Sequence, residues 1–575
     1  MNLRFFGRVS RLAAIGAILL GSASCIRINE ELGESFIPTD SKWDVFPQEP
    51  VDLQDIRLQM ADSLSGYNTS RFTFGAVNDK TFGTSIKSTC LTLVPVWDNL
   101  DFGREIIKIN QFHFSAVRDT LSMVDDNQLK MLQNVYVSEL KKPLDSTVTY
   151  MNSFSDPAVL REFVDIDNRI TIGTPVYSGG DSLSFDFSLD FAKRFVEKLQ
   201  TADLDSVSNY TKDLPGIYIT TDAPAGEGGR INMFNLNLLT SSGYITANYA
   251  ELKFTAMYDH STEPVDTSFL FLFGPGDFIE VDEDGNITYP TQFAFNTSVH
   301  ESESAFTQGG KTAEDKIYVE GGSGIKPVIK AEEIKAILED LIAKEGIKDP
   351  SEVVVNKATI MLPYNVDGDY ALLDKYPEIL SPTVRLRSSD GKHVTYAGIT
   401  DSSIQSENQG NIDRSNFRYS PDISHHVQEI LKLDRNADDY AQNIENYDIW
   451  FLIMHEEVTE TSNGNNYSNY PFNSYYNMMY DPYGYGYGYG YGGYGGYGGY
   501  GYGGYGGYGG YGYNSYYNYY NYAMMAQMYN SSSTNTKTST ELDKDRFYNA
   551  VLNGPESSGI RPQLKVTFSA PKSAE

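Results

Sequence analysis

The sequence predicts an all-β protein with minor helix, arranged as two tandem β-sandwich or jelly-roll-like domains and interrupted by a long disordered Tyr/Gly-rich insertion. Three observations carry this. Short runs rich in Val, Ile, Thr, Phe and Tyr alternate apolar with polar residues, as in "RFTFGAV", "IKINQFHFSAV", "SLSFDFSLDF", "GIYITTD", "AELKFTAMY" and "DTSFLFLFG"; such period-two alternation marks half-buried strands. Gly, Asp, Asn and Pro break these runs at a spacing that suits sandwiches rather than βαβ units. The 575 residues exceed one typical domain and supply material for two cores.

The chain opens with "MNLRFFGRVSRLAAIGAILLGSASC", a basic stretch, an apolar run over residues 12–20 and then small residues. This has the form of a signal peptide, and the run is shorter than the roughly 20 residues of a membrane-spanning helix. Gly21-Ser22-Ala23-Ser24-Cys25 resembles the lipobox of bacterial lipoproteins, with Ser22 where leucine is commonest. The resemblance implies that Cys25 is lipidated and becomes the first residue. Glu30, Glu31 and Glu34 behind it are similar to the surface-export signal of Bacteroidetes lipoproteins. The expected layout is a signal peptide at 1–24, lipidated Cys25 and a tether at 25–50 stretched by Pro47 and Pro50, a first sandwich at 51–280 and a second at 281–575.

The clearest helix is "AEEIKAILEDLIAKEG", where Ile334, Ile337, Leu338, Leu341 and Ile342 share one face and Gly346 supplies a stop. An internal echo also emerges. "KINQFHFSAV", then "SLSFDFSLDFAKRFVEKL", then "GIYIT" recur in kind as "NKATIMLPY", "SPDISHHVQEILKL" and "YDIWFLIM", as related sandwiches would require.

The insertion at 458–540 falls between "NYDIWFLIMHEE" and "DRFYNAVLNG", read as neighbouring strands. Residues 461–530 hold 24 of the 43 tyrosines and 19 of the 50 glycines, with Asp481 as the only charged side chain. Gly-rich spacing offers no continuous apolar face, so disorder is expected. Tyr483, Tyr485, Tyr487, Tyr489 and Tyr491 then act as stacking groups on a flexible string for sugars or aromatic partners, or the repeat is a tolerated expansion.

Chemistry is sparse. The formal charge of −31 disfavours nucleic acid. No phosphate loop, nucleophile elbow or zinc-protease helix is present; "GGSGIK" at 321–326 reads as a glycine turn. The seven histidines (His113, His260, His300, His393, His425, His426, His455) show no ligand spacing and read as surface or helix-end residues. Cys90 has no partner once Cys25 is acylated and reads as a small core residue. Calcium is the one candidate cofactor. Asp165, Asp167 and Asn168, then Asp282, Asp284 and Asn286, then Asn365, Asp367 and Asp369 cluster oxygens in turns, although hairpin turns use the same residues for structure alone. With no catalytic motif, the chain reads as non-enzymatic.

"ELGESFIPTD", "MADSLSGYNTSRFTFGAVNDKTFG", "DKIYVEGGSGIKPVI", "ISHHVQEIL" and "AVLNGPESSGIRPQLKVTF" together resemble a family of Bacteroidetes lipoproteins classed as domain of unknown function 4270, across almost the whole mature chain. The resemblance implies an all-β fold and an envelope address, and brings no catalytic residue. The expected function is a lipid-anchored protein of the outer membrane or cell surface that binds glycan or an envelope protein; the alternatives are a polysaccharide hydrolase and a purely structural lipoprotein.

Overall fold

The computed structural model describes residues 43–61, 64–120, 122, 131–145, 157–241, 244–274, 277–301, 310–387, 394–404, 409–460, 536–546 and 548–572. Within them the chain is mostly antiparallel strand with few helices, as the alternating runs predict. Cys25 and the tyrosines at 483–491 lie outside the described residues.

Alternating phenylalanines build the first body. One sheet orders Ser182–Asp186, Glu105–Val117, Tyr249–Met257, Val265–Phe273 and Leu93–Pro95. Along Glu105–Val117 the residues Phe112, Phe114 and Ala116 are buried, and Phe112 and Phe114 stand opposite Leu252 and Ala250. The facing sheet orders Tyr136–Glu139, Ile217–Thr220, Gly83–Leu91, Ala294–Glu301 and Tyr67–Asn68, with Arg71–Asp79 bridging Gly83–Leu91 to Gly228–Asn235. Both sheets feed one core, in which Phe72 and Phe234 stack at 5.2 Å and Phe114 and Phe273 at 4.6 Å. Each such ring contributes about 1.5–3 kcal/mol by burial. The helix Leu189–Leu199 closes the edge with Phe191, Phe195 and Leu199, its first turn capped by Ser188 Oγ accepting from the Phe191 amide.

The second body pairs a sheet of Trp43–Pro47, Gln563–Pro571, Val354–Pro363 and Arg418–Tyr419 with one of Lys311–Thr312, Ile56–Met60, Ile325–Ile329, Ile449–Glu460, Ile379–Arg387 and Val394–Gly398. Thr536–Leu542 adds to this second sheet along Ile449–Glu460. The helix Ala331–Lys344 runs as the apolar spacing predicts, burying Ile334, Leu338, Leu341 and Ile342. Gly346 follows its end at φ +76°, where glycine is unstrained. The buried Lys335 ammonium donates to the carbonyls of Ile430 and Leu431 at 3.2 and 2.9 Å, which caps the neighbouring helix Ser424–Lys432.

The bodies are nested, not tandem. Trp43–Pro47, Val51–Asp52 and Ile56–Met60 join the C-terminal body, against Gln563–Pro571 and Ile325–Ile329, whereas Ala294–Glu301 pairs with Gly83–Leu91 in the first. A boundary at 280/281 with the first sandwich beginning at Val51 therefore does not follow the sheets. The physical reason is edge pairing: a strand next in sequence has no privilege over one that supplies a free edge and a matching apolar face, and Phe46 finds Phe568 at 5.6 Å.

The internal echo is real in topology. Ser182–Asp186 pairs with Glu105–Val117, the helix Leu189–Leu199 follows, and Ile217–Thr220 then enters the opposite sheet. Likewise Arg418–Tyr419 pairs with Val354–Pro363, Ser424–Lys432 follows, and Ile449–Glu460 enters the opposite sheet.

Candidate functional site

Where the two bodies meet, ionisable groups from both are buried together. The first body brings Ser85 and Lys87 on Gly83–Leu91, Asn296 and His300 on Ala294–Glu301, and Asn68. The second brings Glu320 and Lys326 from either side of the "GGSG" turn, His455, and the run Asp543-Lys544-Asp545-Arg546.

The alternation that builds the first body also aims these groups. Along the strand Gly83–Leu91, Ser85 and Lys87 are two apart and so share a face, and His300 lies directly opposite Ser85 in the neighbouring strand. The Ser85 hydroxyl donates to Glu320 Oε1 at 2.7 Å, and His300 Nδ1 lies 2.9 Å from the same oxygen. His300 Nε2 meets Ser298 Oγ at 2.8 Å. The two ring nitrogens of His300 are thus held between the Glu320 carboxylate and the Ser298 hydroxyl. Glu320 is fully buried. Burial alone would raise its pKa, but His300, Ser85 and Lys326 outweigh this and hold it below the usual glutamate value.

Lys326 is 1% exposed and curls back into the turn that precedes it. Its ammonium donates to the carbonyls of Glu320, of Gly322 at 2.9 Å and of Gly324 at 3.0 Å. Burial lowers its pKa to about 7, against the pull of Glu320. Lys87 Nζ donates to the Lys544 carbonyl, and its pKa is likewise lowered by burial. Glycine avoids strain or a clash at two positions here. Gly322 sits at φ +58°, and a Cβ on it would meet Lys87 Nζ at 2.9 Å; a Cβ on Gly324 would meet Glu320 Oε2 at 2.4 Å.

The "DKDR" run finishes the junction. Asp545 accepts from Asn68 at 2.5 Å and Asn296 at 3.3 Å, and Lys544 Nζ donates to the Tyr67 carbonyl at 2.7 Å. Asp543, buried, pairs with Arg546 at 3.1 Å and lies 3.8 Å from His455 Nδ1. Its pKa stays below the ordinary aspartate value because His455 and Arg546 overcome the burial that would raise it. A lysine titrating near neutrality is the raw material of a nucleophile, but all three ammonium donors of Lys326 are spent on carbonyls away from solvent. The arrangement works as a clamp between the bodies.

This clamp lies at the root of the Tyr/Gly segment. Ile449–Glu460 and Thr536–Leu542 form an antiparallel pair in which Glu460 stands directly opposite Thr536, so residues 461–535 are the connection of a hairpin. The return strand runs straight into Asp543-Lys544-Asp545-Arg546. The sequence places the insertion in a connection correctly but misassigns the neighbour: the strand Asn549–Asn553 of "DRFYNAVLNG" pairs with Lys316–Glu320 instead.

The other sequence candidates are scattered. Asp165 accepts from Asn168 at 2.8 Å, and Asp167 pairs with Arg161 at 2.7 Å. Asp282 accepts from the amides of Asp284 and Asn286 at 3.0 and 2.7 Å, closing the turn between Glu280–Val281 and Ile287–Thr288. Asp367 pairs with Lys316, Asp369 caps the short helix Tyr370–Asp374, and the Asn365 amide donates to Val551. Among the described residues no group of three or more His, Cys, Asp or Glu side chains is placed to hold a metal ion. Cys90 is buried beside Tyr218 and Phe295, and burial pushes its thiol well above the ordinary value.

Not all the histidines lie at the surface or at helix ends, as the sequence suggests. His300 and His455 are buried on strands, not at the surface, because a buried carboxylate faces each. His426 is buried in its helix, holds the Tyr447 carbonyl at 2.8 Å through Nε2, and has its pKa lowered by burial to about 4. His113 pairs with Asp186 at 2.8 Å, and His425 is exposed. The signals overlooked in the sequence were the lysine closing "GGSGIK" and the charge-dense "DKDR".

No family model matches the chain, and no curated protein or solved structure matches it. No helix among the described residues is long and apolar enough to cross a membrane.

Proposed function

We propose that this is a lipid-anchored outer-membrane or surface protein of the Bacteroidetes lipoprotein kind, non-enzymatic, that presents the Tyr/Gly segment to glycan or to an envelope protein. The single observation that carries the reading is the placement of that segment. Its two ends, Glu460 and Thr536, are held opposite one another at the end of a strand pair, and the return strand is tied through Asp543–Arg546 contacts to both bodies. Tyrosine suits such a role, since its ring supplies apolar contact area and its hydroxyl a hydrogen-bonding tip for a sugar or a protein surface. The "GSASC" segment and the acidic residues behind it support the anchor.

The test is a glycan-array screen of the purified chain beside a form lacking residues 461–530, with Cys25→Ala compared for membrane retention. Binding to at least one arrayed glycan that falls with the deletion, and release of Cys25→Ala into the soluble fraction, are the expected results. Binding unchanged by the deletion would move recognition onto a sandwich, and retention of Cys25→Ala would remove the anchor.

A further inference from the structure

A second aromatic feature lies on the second body, away from the Tyr/Gly segment in sequence. Val354–Pro363 pairs with Arg418–Tyr419 so that Pro363 faces Arg418. The chain leaving the first strand and the chain entering the second therefore emerge at one end of the sheet. They are tied there. The Tyr364 amide donates to the Phe417 carbonyl at 2.9 Å, the Asp413 amide donates to the Tyr364 hydroxyl at 2.8 Å, and Arg414 pairs with Asp374 at 3.2 Å while also donating to the Leu373 carbonyl at 3.3 Å.

On the crest of these two loops stand Tyr370, 62% exposed, and Phe417, 41% exposed, with ring centroids 5.6 Å apart and planes inclined at 58°. Leu372 is exposed beside them. Phe417 holds φ +52°, the left-handed region, where a Cβ crowds the following carbonyl oxygen and a side chain of this kind is strained. With part of the ring left in water, burial offsets this strain less than it would in the core. Stability alone would favour Gly or Asn at that position; a fixed, outward aromatic wedge points to a ligand.

We infer that the Tyr370–Phe417 wedge is a binding site for a neutral saccharide. Inclined rings receive the apolar C–H face of a pyranose, whose hydroxyls both donate and accept and so suit an adjacent acid–base pair such as Asp374–Arg414. Asp367, its side chain 75% exposed, adds an acceptor. Four carboxylates in these loops (Asp367, Asp369, Asp374, Asp413) on a chain of net charge −31 disfavour an acidic polysaccharide. The inference names a ligand class for the binding role proposed above, but it stands on a different surface from the Tyr/Gly segment and is tested apart from it.

The experiment is affinity electrophoresis of the full chain in detergent through gels carrying soluble starch, mixed-linkage β-glucan, xylan or mannan, with dextran sulfate as the acidic comparison. Tyr370→Ala, Phe417→Gly and the 461–530 deletion run alongside. Phe417→Gly removes the ring at a φ that glycine adopts freely, so its melting temperature is expected to hold or rise. Retardation by at least one neutral polysaccharide, weakened about tenfold by either ring variant and unaffected by the deletion, is the expected result. Free migration of the parent chain in every neutral gel overturns the inference, as does equal retardation of the ring variants. Retardation lost only with the deletion also overturns it, while leaving the reading of the Tyr/Gly segment intact.

Discussion

Lys326 returns its ammonium to the backbone carbonyl of Glu320, while the Glu320 carboxylate reaches across to Ser85 and His300 of the other body. One strand-turn-strand thus satisfies a buried cation from within and offers a buried anion outward. The clamp is costly to assemble and hard to leave half made, since a lone buried charge costs several kcal/mol more than a paired one.

This gives the junction a pH signature. In the unfolded chain the Lys326 amine keeps its proton up to about its ordinary 10.5, whereas in the fold it releases it near 7. Between those values the unfolded state binds the extra proton, so stability rises with pH across that window and the gain is absent below 7. Lys87, also lowered by burial, adds in the same direction. Denaturant midpoints measured from pH 6.5 to 9.5 should increase, and Lys326→Met should reduce that rise without abolishing it; a flat profile in the parent chain would contradict the assignment.

Gly322→Ala forces a side chain into φ +58° and against Lys87 Nζ. The expected loss is about 2 kcal/mol or somewhat more. Combined with Lys87→Met the penalties should add to less than their sum, because the second substitution removes the group that the new Cβ strikes. Urea unfolding of the two single variants and the double variant measures this coupling, and strict additivity would show that the glycine and lysine do not meet.

Removing residues 461–530 leaves residues 531–535 to join Glu460 to Thr536, which is within the length that hairpins use. Closing a shorter loop costs less, by about 0.6 kcal/mol per halving of length. The melting temperature of the deletion should therefore equal or exceed that of the parent chain; a marked fall in calorimetry would mean that the segment contributes to the fold itself.

Cys90 should be silent to thiol reagents in the native protein. It is 1% exposed, and burial holds its thiol protonated. Reagent uptake at Cys90, read by peptide mass, should appear only above the unfolding midpoint, and rapid native labelling would overturn its place in the core.

Much of the fold was legible because it depends on local pattern. Phe112 and Phe114 declare an inward face by their spacing, as do Ile334, Leu338 and Leu341 at the helical period. The order of elements even betrayed the internal repeat. Glu320, Lys326 and "DKDR" were not legible as a group, because charged residues in a chain with 76 acidic side chains look alike until a neighbour excludes water from some of them. Phe417 was equally hidden: left-handed backbone at a phenylalanine has no sequence signature and arises from the hydrogen bonds that surround it.

By itself the sequence determined the periodicities, and with them the strands, the main helix and the placing of the Tyr/Gly segment within a connection, since these follow from which side chains can share a face with water. Only the tertiary structure decided that Trp43–Met60 completes the C-terminal sheets, that His300 and His455 are interior, and that Lys87, Glu320 and Lys326 meet. Edge pairing and burial join residues hundreds of positions apart, and their energies depend on the neighbours each group acquires rather than on the residues beside it in the chain.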